Sequence, residues 1–345
     1  MPKVPIPITP DMDPNVQDAI KAINRVGDWK GKEVTYKRVA EGITNPTWEL
    51  WVNNKQHVFL KIPGKGTEKF INREIVYKAD VAAGKVGSGP APLYYFPDTH
   101  ACFYNWLEGY YTCRWAEAWD LEIFNGMVDA MKKFHSSGVD LGLKSNAFDH
   151  CWQMIKLAEE GGGIQPYDLD GAKILVERIE KAFHKAGMDY KPCHNDTYII
   201  NYMWNPDTKD CKMIDFEYAS MGDISYDLAI FSTDEFYEDP QDVMIIRRYF
   251  GKDDDLWFAR LKLMKLLSDV KWGMWASVQA LSAEIEFDFV RYNGWKFARY
   301  RSHLVDPRVE YWLNLLNGKS TFQKLPPGYG RMMYWKQWQK EGKVK

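Results

Sequence analysis

The chain changes character once along its length, and this change restricts the folds that it can adopt. Its first third contains short runs rich in β-branched and aromatic side chains, which are typical of strands. Beyond residue 109 the apolar residues recur mainly at the spacing of helices. A strand-rich first part joined to a helix-rich second part predicts an α+β fold with two lobes. The predicted strands are 34–39, 47–52, 57–62, 93–96 and 101–106.

The boundary between the two lobes is predicted where the strand pattern ends. A length of 345 residues is enough for two lobes that share a cleft. We expect a smaller, strand-rich lobe in residues 1–106 and a larger, helical lobe in residues 107–345, joined by a hinge near residues 104–109. Helices are predicted around 16–26, in the segment with Arg73, Glu74 and Tyr77, and at 121–135, 174–186 and 256–316.

The charge of the chain argues against one class of partner. Its 45 Lys and Arg residues and 47 Asp and Glu residues give a formal net charge of −2, and no basic stripe is present. Proteins that bind nucleic acid usually carry a basic surplus or a basic patch. We therefore expect a small-molecule partner and no nucleic acid, while the oligomeric state stays open.

The cysteines and the N-terminal residues predict a cytoplasmic location. The five cysteines are scattered, and no two of them have the spacing of a zinc site or a redox pair. Reduced thiols in a cytosolic protein are the simplest explanation. The first residues lack the apolar stretch of a signal peptide, and no apolar run approaches the roughly 20 residues that span a bilayer. Membrane insertion is therefore not expected.

One segment of the second part combines polar side chains with a predicted β-hairpin. Two short apolar runs flank a polar, Pro-containing turn at residues 205–210. If the hairpin folds about residue 208, Asn201 lies opposite Asp215, because both are seven positions from the centre. Their amide and carboxylate oxygens would then converge at the open end of the hairpin. Oxygen ligands of this kind suit Mg²⁺.

A third polar residue, Asp196, lies five positions before Asn201 on the loop that leads into the hairpin. It would be close to the metal without having to bind it. Phosphoryl transfer needs such a division, because one carboxylate orients and deprotonates the attacking hydroxyl while Asn and Asp hold the metal on the phosphates. Asp and Asn are also common in loops without any catalytic role. The combination of the Asp-x4-Asn spacing, the hairpin and Ile-Asp-Phe at 214–216 favours catalysis.

These motifs resemble those of a known enzyme family. His-Asn-Asp at 194–196 with Asn201, followed by Ile-Asp-Phe-Glu-Tyr at 214–218, resembles the catalytic segment of the choline/ethanolamine kinases. That family is grouped with the aminoglycoside phosphotransferases in the protein-kinase-like fold. The resemblance implies that Asp196 is the catalytic base and that Asn201 and Asp215 bind Mg²⁺. By the same analogy Asp227 supports the catalytic loop through hydrogen bonds, and His194 orients this loop without transferring protons.

The first lobe contains residues that match a nucleotide site. Gly-Ile-Thr-Asn at 42–45 lies between two predicted strands, and a small polar turn lets backbone N–H groups approach phosphates. It resembles the family's Gly-x-Thr-Asn loop. Lys61 ends the third strand, where kinase-like folds place a basic residue that contacts the α- and β-phosphates of ATP and pairs with a helical Glu. The predicted nucleotide-binding residues are Gly42, Thr44, Asn45, Lys61 and Glu74, and the backbone of residues 104–107 is expected to meet adenine.

The acceptor site is predicted from an aromatic helix late in the chain. Trp272, Trp275 and Gln279 fall on one helical face, and such a stripe is more often plain core. The stretch 272–292, with Ile-Glu-Phe at 285–287, nevertheless resembles the choline kinase segment whose rings bind a quaternary ammonium group, an interaction favoured by cation–π attraction. The resemblance implies an acceptor pocket formed by Glu217, Tyr218, Asp234, Trp272, Trp275 and Tyr292.

The sequence therefore predicts an ATP- and Mg²⁺-dependent kinase that phosphorylates choline or a related amino alcohol. Choline and ethanolamine are not distinguished, because enzymes for both share these motifs. One alternative is a sugar-hydroxyl phosphotransferase of the aminoglycoside type on the same fold. An alternative of another class is an inactive protein that uses the aromatic pocket to bind a cation.

Overall fold

The computed structural model describes residues 1–39, 45–64, 71–282 and 287–319 of the chain. Gly42 and Thr44 of the predicted phosphate loop, and Ile285 and Glu286 of the acceptor segment, lie outside the described residues. Among the residues of the predicted phosphate loop, Asn45 is described, and it lies directly before the second strand.

The first part of the chain forms a five-stranded antiparallel sheet, as the strand pattern predicted. The strands follow the spatial order β1-β2-β3-β5-β4. Side chains alternate between the two faces of a strand, and Trp48, Leu50 and Val52 on one face are buried. Helix α1 packs its apolar face onto this surface through Ile20 and Ile23. The elements are α1 Pro14–Arg25, β1 Val34–Val39, β2 Thr47–Val52, β3 Gln56–Lys61, α2 Arg73–Val86, β4 Pro92–Phe96 and β5 Ala101–Asn105.

The second part of the chain is mostly helical. Helix α8 is 28 residues long and is apolar on most of its sides, which is typical of a helix at the centre of a core. Helices α4, α6 and α9 pack against it. The helices are α3 Leu121–His135, α4 Ala147–Gly161, α5 Leu169–Ala186, α6 Ile224–Asp234, α7 Asp239–Phe250, α8 Asp255–Ser282, α9 Phe289–Leu304 and α10 Val309–Leu316.

The described residues also form two small sheets. One contains three strands in the order β6-β8-β9, and the other contains β7 and β10. The chain passes from β5 of the large sheet to β6 of the three-stranded sheet through residues 106–110, the region of the predicted hinge. The strands are β6 Tyr111–Thr112, β7 Tyr190–Cys193, β8 Tyr202–Asn205, β9 Asp210–Met213 and β10 Ser220–Asp223.

The predicted hairpin is confirmed as β8–β9, but its register differs by one position from the prediction. Asn205 pairs with Asp210 and Tyr202 pairs with Met213, so the turn is centred between residues 207 and 208. The cause is local, because the Asn205 side-chain oxygen accepts the N–H groups of Asp207 and Thr208 and closes a four-residue turn. Asn201 is therefore opposite Ile214 and not opposite Asp215.

None of the helices in the described part of the chain combines the length and the apolar character that crossing a membrane demands. All five cysteines are buried and have free thiols, as expected from their spacing.

Helix α3 holds the hairpin in place through a close contact at Gly126. A Cβ atom at this position would lie 2.7 Å from Cζ3 of Trp204 and 3.2 Å from Cβ of Cys211, on the two strands of the hairpin. The situation differs at Gly171 in α5, where no atom of the described residues would lie within 4 Å of an added Cβ atom. The two glycines therefore provide a matched pair of helical positions.

We expect Gly126→Ala to destabilise the protein by about 1–3 kcal/mol, because the added methyl group overpacks the contact between α3 and the hairpin. Gly171→Ala should stabilise it by about 0.5–1 kcal/mol through the higher helix propensity of alanine. Urea denaturation midpoints of the two variants measure the difference. Equal shifts would contradict the role of Gly126.

Candidate active site

The catalytic segment predicted from the sequence runs from the end of β7 to the start of β8, and Asp227 holds it in place. The N–H groups of His194 and Asn195 both donate to the Asp227 carboxylate at 2.7 Å. Nε2 of His135 lies 2.9 Å from the same carboxylate. Asp227 is fully buried in the first turn of α6. This carboxylate therefore fixes the backbone at which the catalytic loop begins, as the analogy implied.

The His194 ring connects this loop to the strand end that precedes Asp215. Its Nε2 lies 2.9 Å from the carbonyl oxygen of Ile214, and its Nδ1 accepts the N–H of Asp196 at 3.3 Å. Burial lowers the pKa of His194, which favours the neutral ring with a proton on Nε2. These contacts support an orienting role, because both ring nitrogens are engaged with the backbone.

Asn201 and Asp196 are in direct contact at the mouth of the hairpin. Nδ2 of Asn201 donates to the backbone oxygen of Asp196 at 2.8 Å and to its Oδ2 at 3.0 Å. Because the nitrogen end of the amide is engaged, Oδ1 of Asn201 is turned away from Asp196. Burial raises the pKa of Asp196 to about 7, and the negative charge of Asp215 acts in the same direction. The three predicted oxygen-bearing residues therefore lie together.

Asp215 lies one residue beyond the position opposite Asn201, and its backbone compensates for the shifted register. The N–H of Ile214 donates to the carbonyl of Asn201 at 2.9 Å, which extends the ladder by one pair. Asp215 follows with a φ of +66°, a left-handed conformation that is uncommon for residues other than glycine. The strand thus bends directly after the ladder, at the residue whose carboxylate enters the site.

Charged side chains from both parts of the chain meet at this bend. Nζ of Lys61 lies 2.5 Å from Oδ1 of Asp215 and 3.2 Å from Oε1 of Glu217. Glu217 also forms an ion pair with Arg73 and accepts a hydrogen bond from Nδ2 of Asn45 at 2.6 Å. Although burial alone would lower it, the two carboxylates raise the pKa of Lys61. The network places Lys61 and Asn45 of the first part beside the catalytic segment.

Two predicted contacts of this region are not found. Lys61 pairs with Asp215 and Glu217, whereas Glu74 is exposed in the first turn of α2, next to its N-cap Asn72. Glu217 was predicted in the acceptor pocket, yet it is buried on the Lys61 side. The reason is that Glu217 lies directly in reach of Arg73, which points inward from the same turn of α2 in which Glu74 points outward.

A different acidic residue of α2, Asp80, is buried and lies six positions after Glu74. Its negative charge contributes to raising the pKa of Lys61. Asp80 accepts a hydrogen bond from the hydroxyl of Tyr104 at 2.5 Å. Burial raises the pKa of Asp80 to about 7, while Lys61 opposes this shift. Sequence analysis missed Asp80 and Arg73, although the apolar positions Ile75, Ala79 and Ala83 of α2 indicate which side of the helix faces inward.

Four aromatic rings form a chain whose first member, Tyr218, has its pKa raised by burial and by the charge of Asp196. The ring centroids of Tyr218 and Trp272 are 5.6 Å apart, those of Trp272 and Trp275 are 5.6 Å apart, and those of Trp275 and Tyr292 are 6.1 Å apart. All three pairs meet edge to face. Helix α8 contributes the two tryptophans and α9 contributes Tyr292, so the predicted aromatic residues are brought together. We refer to these four residues as the aromatic wall.

The carboxylate predicted to face the acceptor is already paired with cations. Oδ1 of Asp234 lies 2.6 Å from Nζ of Lys296 and 2.8 Å from Nη2 of Arg299, both on α9. Burial would raise the pKa of Asp234, but these two cations lower it below its usual value. Asp234 is therefore ionised, and its charge is largely neutralised by these two cations of α9.

Lys271 is a buried cation that sequence analysis did not single out. Its Nζ lies 3.3 Å from the centroid of the Trp272 ring and 5.1 Å from that of Tyr218. Within the described ranges this nitrogen has no hydrogen-bond partner. Burial lowers the pKa of Lys271 to about 7, and Asp196 opposes that shift. The available signal was its position directly before Trp272, on a helix whose other residues are largely apolar.

The rings only partly compensate the burial of this ammonium group. A desolvated cation–π contact contributes on the order of 2 kcal/mol. Removing an ammonium ion from water costs several kcal/mol even after relaxation. The rings therefore do not replace the hydrogen bonds that the ammonium group of Lys271 would make in water.

A second cluster of potential metal ligands is explained by hydrogen bonding. His135, Cys193 and Asp227 are the group that the described residues bring within metal-ligand reach of one another. The Asp227 carboxylate already interacts with three nitrogen atoms. Burial raises the pKa of the Cys193 thiol well above its ordinary value, which keeps the thiol protonated. These groups therefore support the loop and are not a good metal site.

Comparison with known proteins relates the chain to one family. A sequence model of the choline/ethanolamine kinase family matches residues 36–246. The chain is 23% identical over 333 residues to the Arabidopsis thaliana protein named probable choline kinase 2, covering 85% of this chain and 92% of the relative. It is 25% identical over 317 residues to human ethanolamine kinase 1, covering 79% of this chain and 68% of the relative.

The fold also matches a solved structure. A choline/ethanolamine kinase family protein from Mesorhizobium loti superposes with a TM-score of 0.77 at 21% identity, covering 88% of this chain and 99% of the other. The fold is the two-lobed, protein-kinase-like α+β arrangement that the motifs implied, with a strand-rich N-terminal lobe and a helical C-terminal lobe.

We expect Asp227→Asn to destabilise the protein by about 1–3 kcal/mol, because the amide nitrogen cannot accept a hydrogen bond and leaves a buried donor unpaired. The amide hydrogens of His194 and Asn195 should exchange faster with solvent. Urea denaturation and amide hydrogen exchange measure the two effects. Asp207→Asn, an exposed change in the hairpin turn, is the control, and equal behaviour of both variants would contradict the supporting role of Asp227.

Proposed function

Because the chain belongs to the choline/ethanolamine kinase family, we propose that it transfers the γ-phosphoryl group of ATP to the hydroxyl of choline or a closely related amino alcohol. The observation that carries this proposal is the position of Asp196. This carboxylate lies within electrostatic reach both of Asp215, the partner of Lys61, and of Tyr218 in the aromatic wall. A base between a phosphate site and a cation site is the arrangement that phosphorylation of an amino alcohol requires.

The residues at the hairpin mouth fit a magnesium ion. Asn201 has its amide nitrogen engaged with Asp196, and the carboxylate of Asp215 is exposed to the cleft. Both therefore offer oxygen, the ligand atom that Mg²⁺ prefers. We assign Asn201 and Asp215 as the residues that would hold the ion. Bound there on the phosphates of ATP, Mg²⁺ would neutralise part of the charge that develops during transfer.

In the proposed reaction the acceptor hydroxyl attacks the γ-phosphorus of ATP. A new bond forms between the acceptor oxygen and phosphorus, the bond to the β-phosphate oxygen breaks, and ADP leaves. Asp196 orients the hydroxyl and accepts its proton. Asn201 holds the Asp196 carboxylate in position through the 3.0 Å hydrogen bond. Little covalent chemistry is left to the protein, so positioning and electrostatics supply most of the rate.

The donor phosphates are assigned to the first lobe. Lys61 would contact them with its ammonium group, while Glu217 and Arg73 keep the lysine at the cleft. Asn45 adjoins the predicted phosphate loop and is held by the same Glu217. The backbone of residues 104–107 remains our assignment for adenine. Glu74 is no longer assigned to this site as a partner of Lys61, because its side chain is exposed.

The ammonium group of the acceptor is assigned to the aromatic wall. Ring faces of Tyr218, Trp272, Trp275 and Tyr292 attract a cation through their negative potential. Trp275 and Tyr292 are only half-buried, so a ligand can reach them from the cleft. Closure of the wall around the ammonium group would also exclude water from Asp196.

We expect Asp196→Ala to lower kcat by at least about 10²-fold, because the hydroxyl loses the group that orients and deprotonates it. Binding of MgATP should change little, since Lys61 and Asp215 are untouched. A coupled ADP-release assay and calorimetric titration with MgATP measure the two quantities. Asp207→Ala in the hairpin turn is the control, and normal turnover of Asp196→Ala would refute the assignment.

The same assay separates the competing functions. Choline, ethanolamine and an aminoglycoside are offered as acceptors in the presence of MgATP. Transfer to the aminoglycoside alone would favour the sugar-hydroxyl alternative. Absence of transfer with every acceptor, combined with binding of a cation, would favour the inactive binding protein.

We expect Trp275→Ala to raise KM for an ammonium-bearing acceptor by about 10- to 30-fold, corresponding to the loss of up to about 2 kcal/mol of cation–π attraction. The effect on kcat should be small, because Trp275 does not contact the transferred group. Initial-rate kinetics over a range of acceptor concentrations measure both constants. Trp275→Phe keeps an aromatic face and should recover most of the affinity; an unchanged KM in the alanine variant would refute the cation site.

A further inference from the structure

Near the aromatic wall, three buried hydrogen-bond donors have no partner among the described residues. Nζ of Lys271, Nε1 of Trp272 and the hydroxyl of Tyr226 all lack a partner in the part of the chain that the structure describes. They lie close together, since Nζ of Lys271 is 3.3 Å from the ring centroid of Trp272 and 5.9 Å from that of Tyr226. Buried donors are normally paired. A group with free acceptor atoms, such as a carboxylate, would satisfy them.

The charges around these donors point the same way. Two buried carboxylates beside α9, those of Asp234 and Asp269, both bind Arg299. Lys296 adds a second cation to Asp234. Lys271 belongs to none of these ion pairs. Within the described residues no carboxylate oxygen is hydrogen-bonded to its Nζ, although the charge of Asp196 opposes the lowering of its pKa by burial.

The nearby carboxyl group of Glu235 does not restore the balance. It is fully buried next to Asp234, and neither of its oxygens has a hydrogen-bond partner among the described residues. Burial raises the pKa of Glu235 to about 8, with the charge of Asp234 adding to the shift. Near neutral pH this group is therefore largely uncharged and does not neutralise Lys271.

A purely cationic acceptor is poorly matched to this environment. Its ammonium group would lie against Trp272 and Tyr218, whose rings already interact with the ammonium group of Lys271. When Lys271 is protonated, two like charges that share the same aromatic faces repel each other, and the low dielectric of a buried site strengthens this repulsion. An acceptor that also carries an anion would replace the repulsion with an attraction.

We propose that Lys271 is a specificity-determining residue that selects a zwitterionic acceptor, whose ammonium group contacts Trp275 and whose carboxylate contacts Lys271. This inference rests on the proposed function and names the substrate class of the same site. The transfer step is unchanged, because the acceptor hydroxyl still attacks the γ-phosphorus, gives its proton to Asp196 and releases ADP. Lys271 acts on acceptor binding and takes no part in the proton transfer.

Two matched acceptor pairs test the proposal. Choline and racemic carnitine share a trimethylammonium group and a hydroxyl, and carnitine adds a carboxylate. Ethanolamine and racemic serine form the corresponding pair with a primary ammonium group. For the natural sequence we expect kcat/KM to favour the zwitterion at least tenfold in one of the two pairs. Acceptor dissociation constants from calorimetric titration should show the same preference.

Substitution of Lys271 provides the second part of the test. Lys271→Met keeps a flexible, unbranched side chain that is one atom shorter and removes its charge, and it should lower the zwitterion-to-cation ratio of the preferred pair at least tenfold. Arg291→Met removes an exposed cation of α9 next to Tyr292 and should leave the ratio unchanged. Thermal unfolding verifies that both variants fold, and Lys271→Gln is the replacement if the methionine variant does not.

The outcomes of this test are separable from those of the proposed function. Efficient transfer to choline or ethanolamine, with the carboxylate-bearing partner disfavoured in both pairs, would overturn the role of Lys271 and leave the kinase function intact. A preference for zwitterions that Lys271→Met does not change would also overturn it. Absence of transfer to every acceptor would refute the proposed function, whereas the binding constants would still decide which acceptor class the pocket prefers.

Discussion

Hydrogen bonds to the buried carboxylate of Asp227 determine where the catalytic segment begins. This side chain accepts the consecutive N–H groups of His194 and Asn195, and the ring of His135 in α3 approaches it as well. Without this carboxylate the two N–H groups would be buried and unpaired, so the loop and the helix depend on each other. The position of Asp196, one residue further on, follows from this arrangement.

The contact between the two lobes is mainly ionic at the site. Lys61 and Arg73 from the first lobe share Glu217 from the second, and Lys61 also binds Asp215. Buried ion pairs add little net stability, because desolvation offsets much of their attraction. Their main effect is to position side chains, because they keep Lys61 and Asp215 at the cleft. In the proposed function the phosphates of a nucleotide would replace some of these contacts.

The charges around the aromatic wall differ from those at the contact between the lobes. The aromatic wall offers attraction to a cation, but the structure surrounds it with Lys271, Lys296 and Arg299. Asp234, which the family resemblance placed opposite the acceptor ammonium, is neutralised by the last two. The charge around this motif is therefore set by residues outside it.

The sequence by itself determined the local elements and the chemistry of the short motifs. Strands β1–β5, helix α3 and the β8–β9 hairpin follow from periodicity and turn residues that are contiguous in the chain, and Asp196, Asn201 and Asp215 were identified from one 20-residue segment. Only the tertiary structure decided that Lys61 pairs with Asp215 and Glu217 rather than with Glu74, and that Lys271 is buried without a partner among the described residues. The physical reason is that several carboxylates compete for each cation over short distances. Which of them lies within about 4 Å depends on how separate helices and strands pack, and no local pattern contains that information.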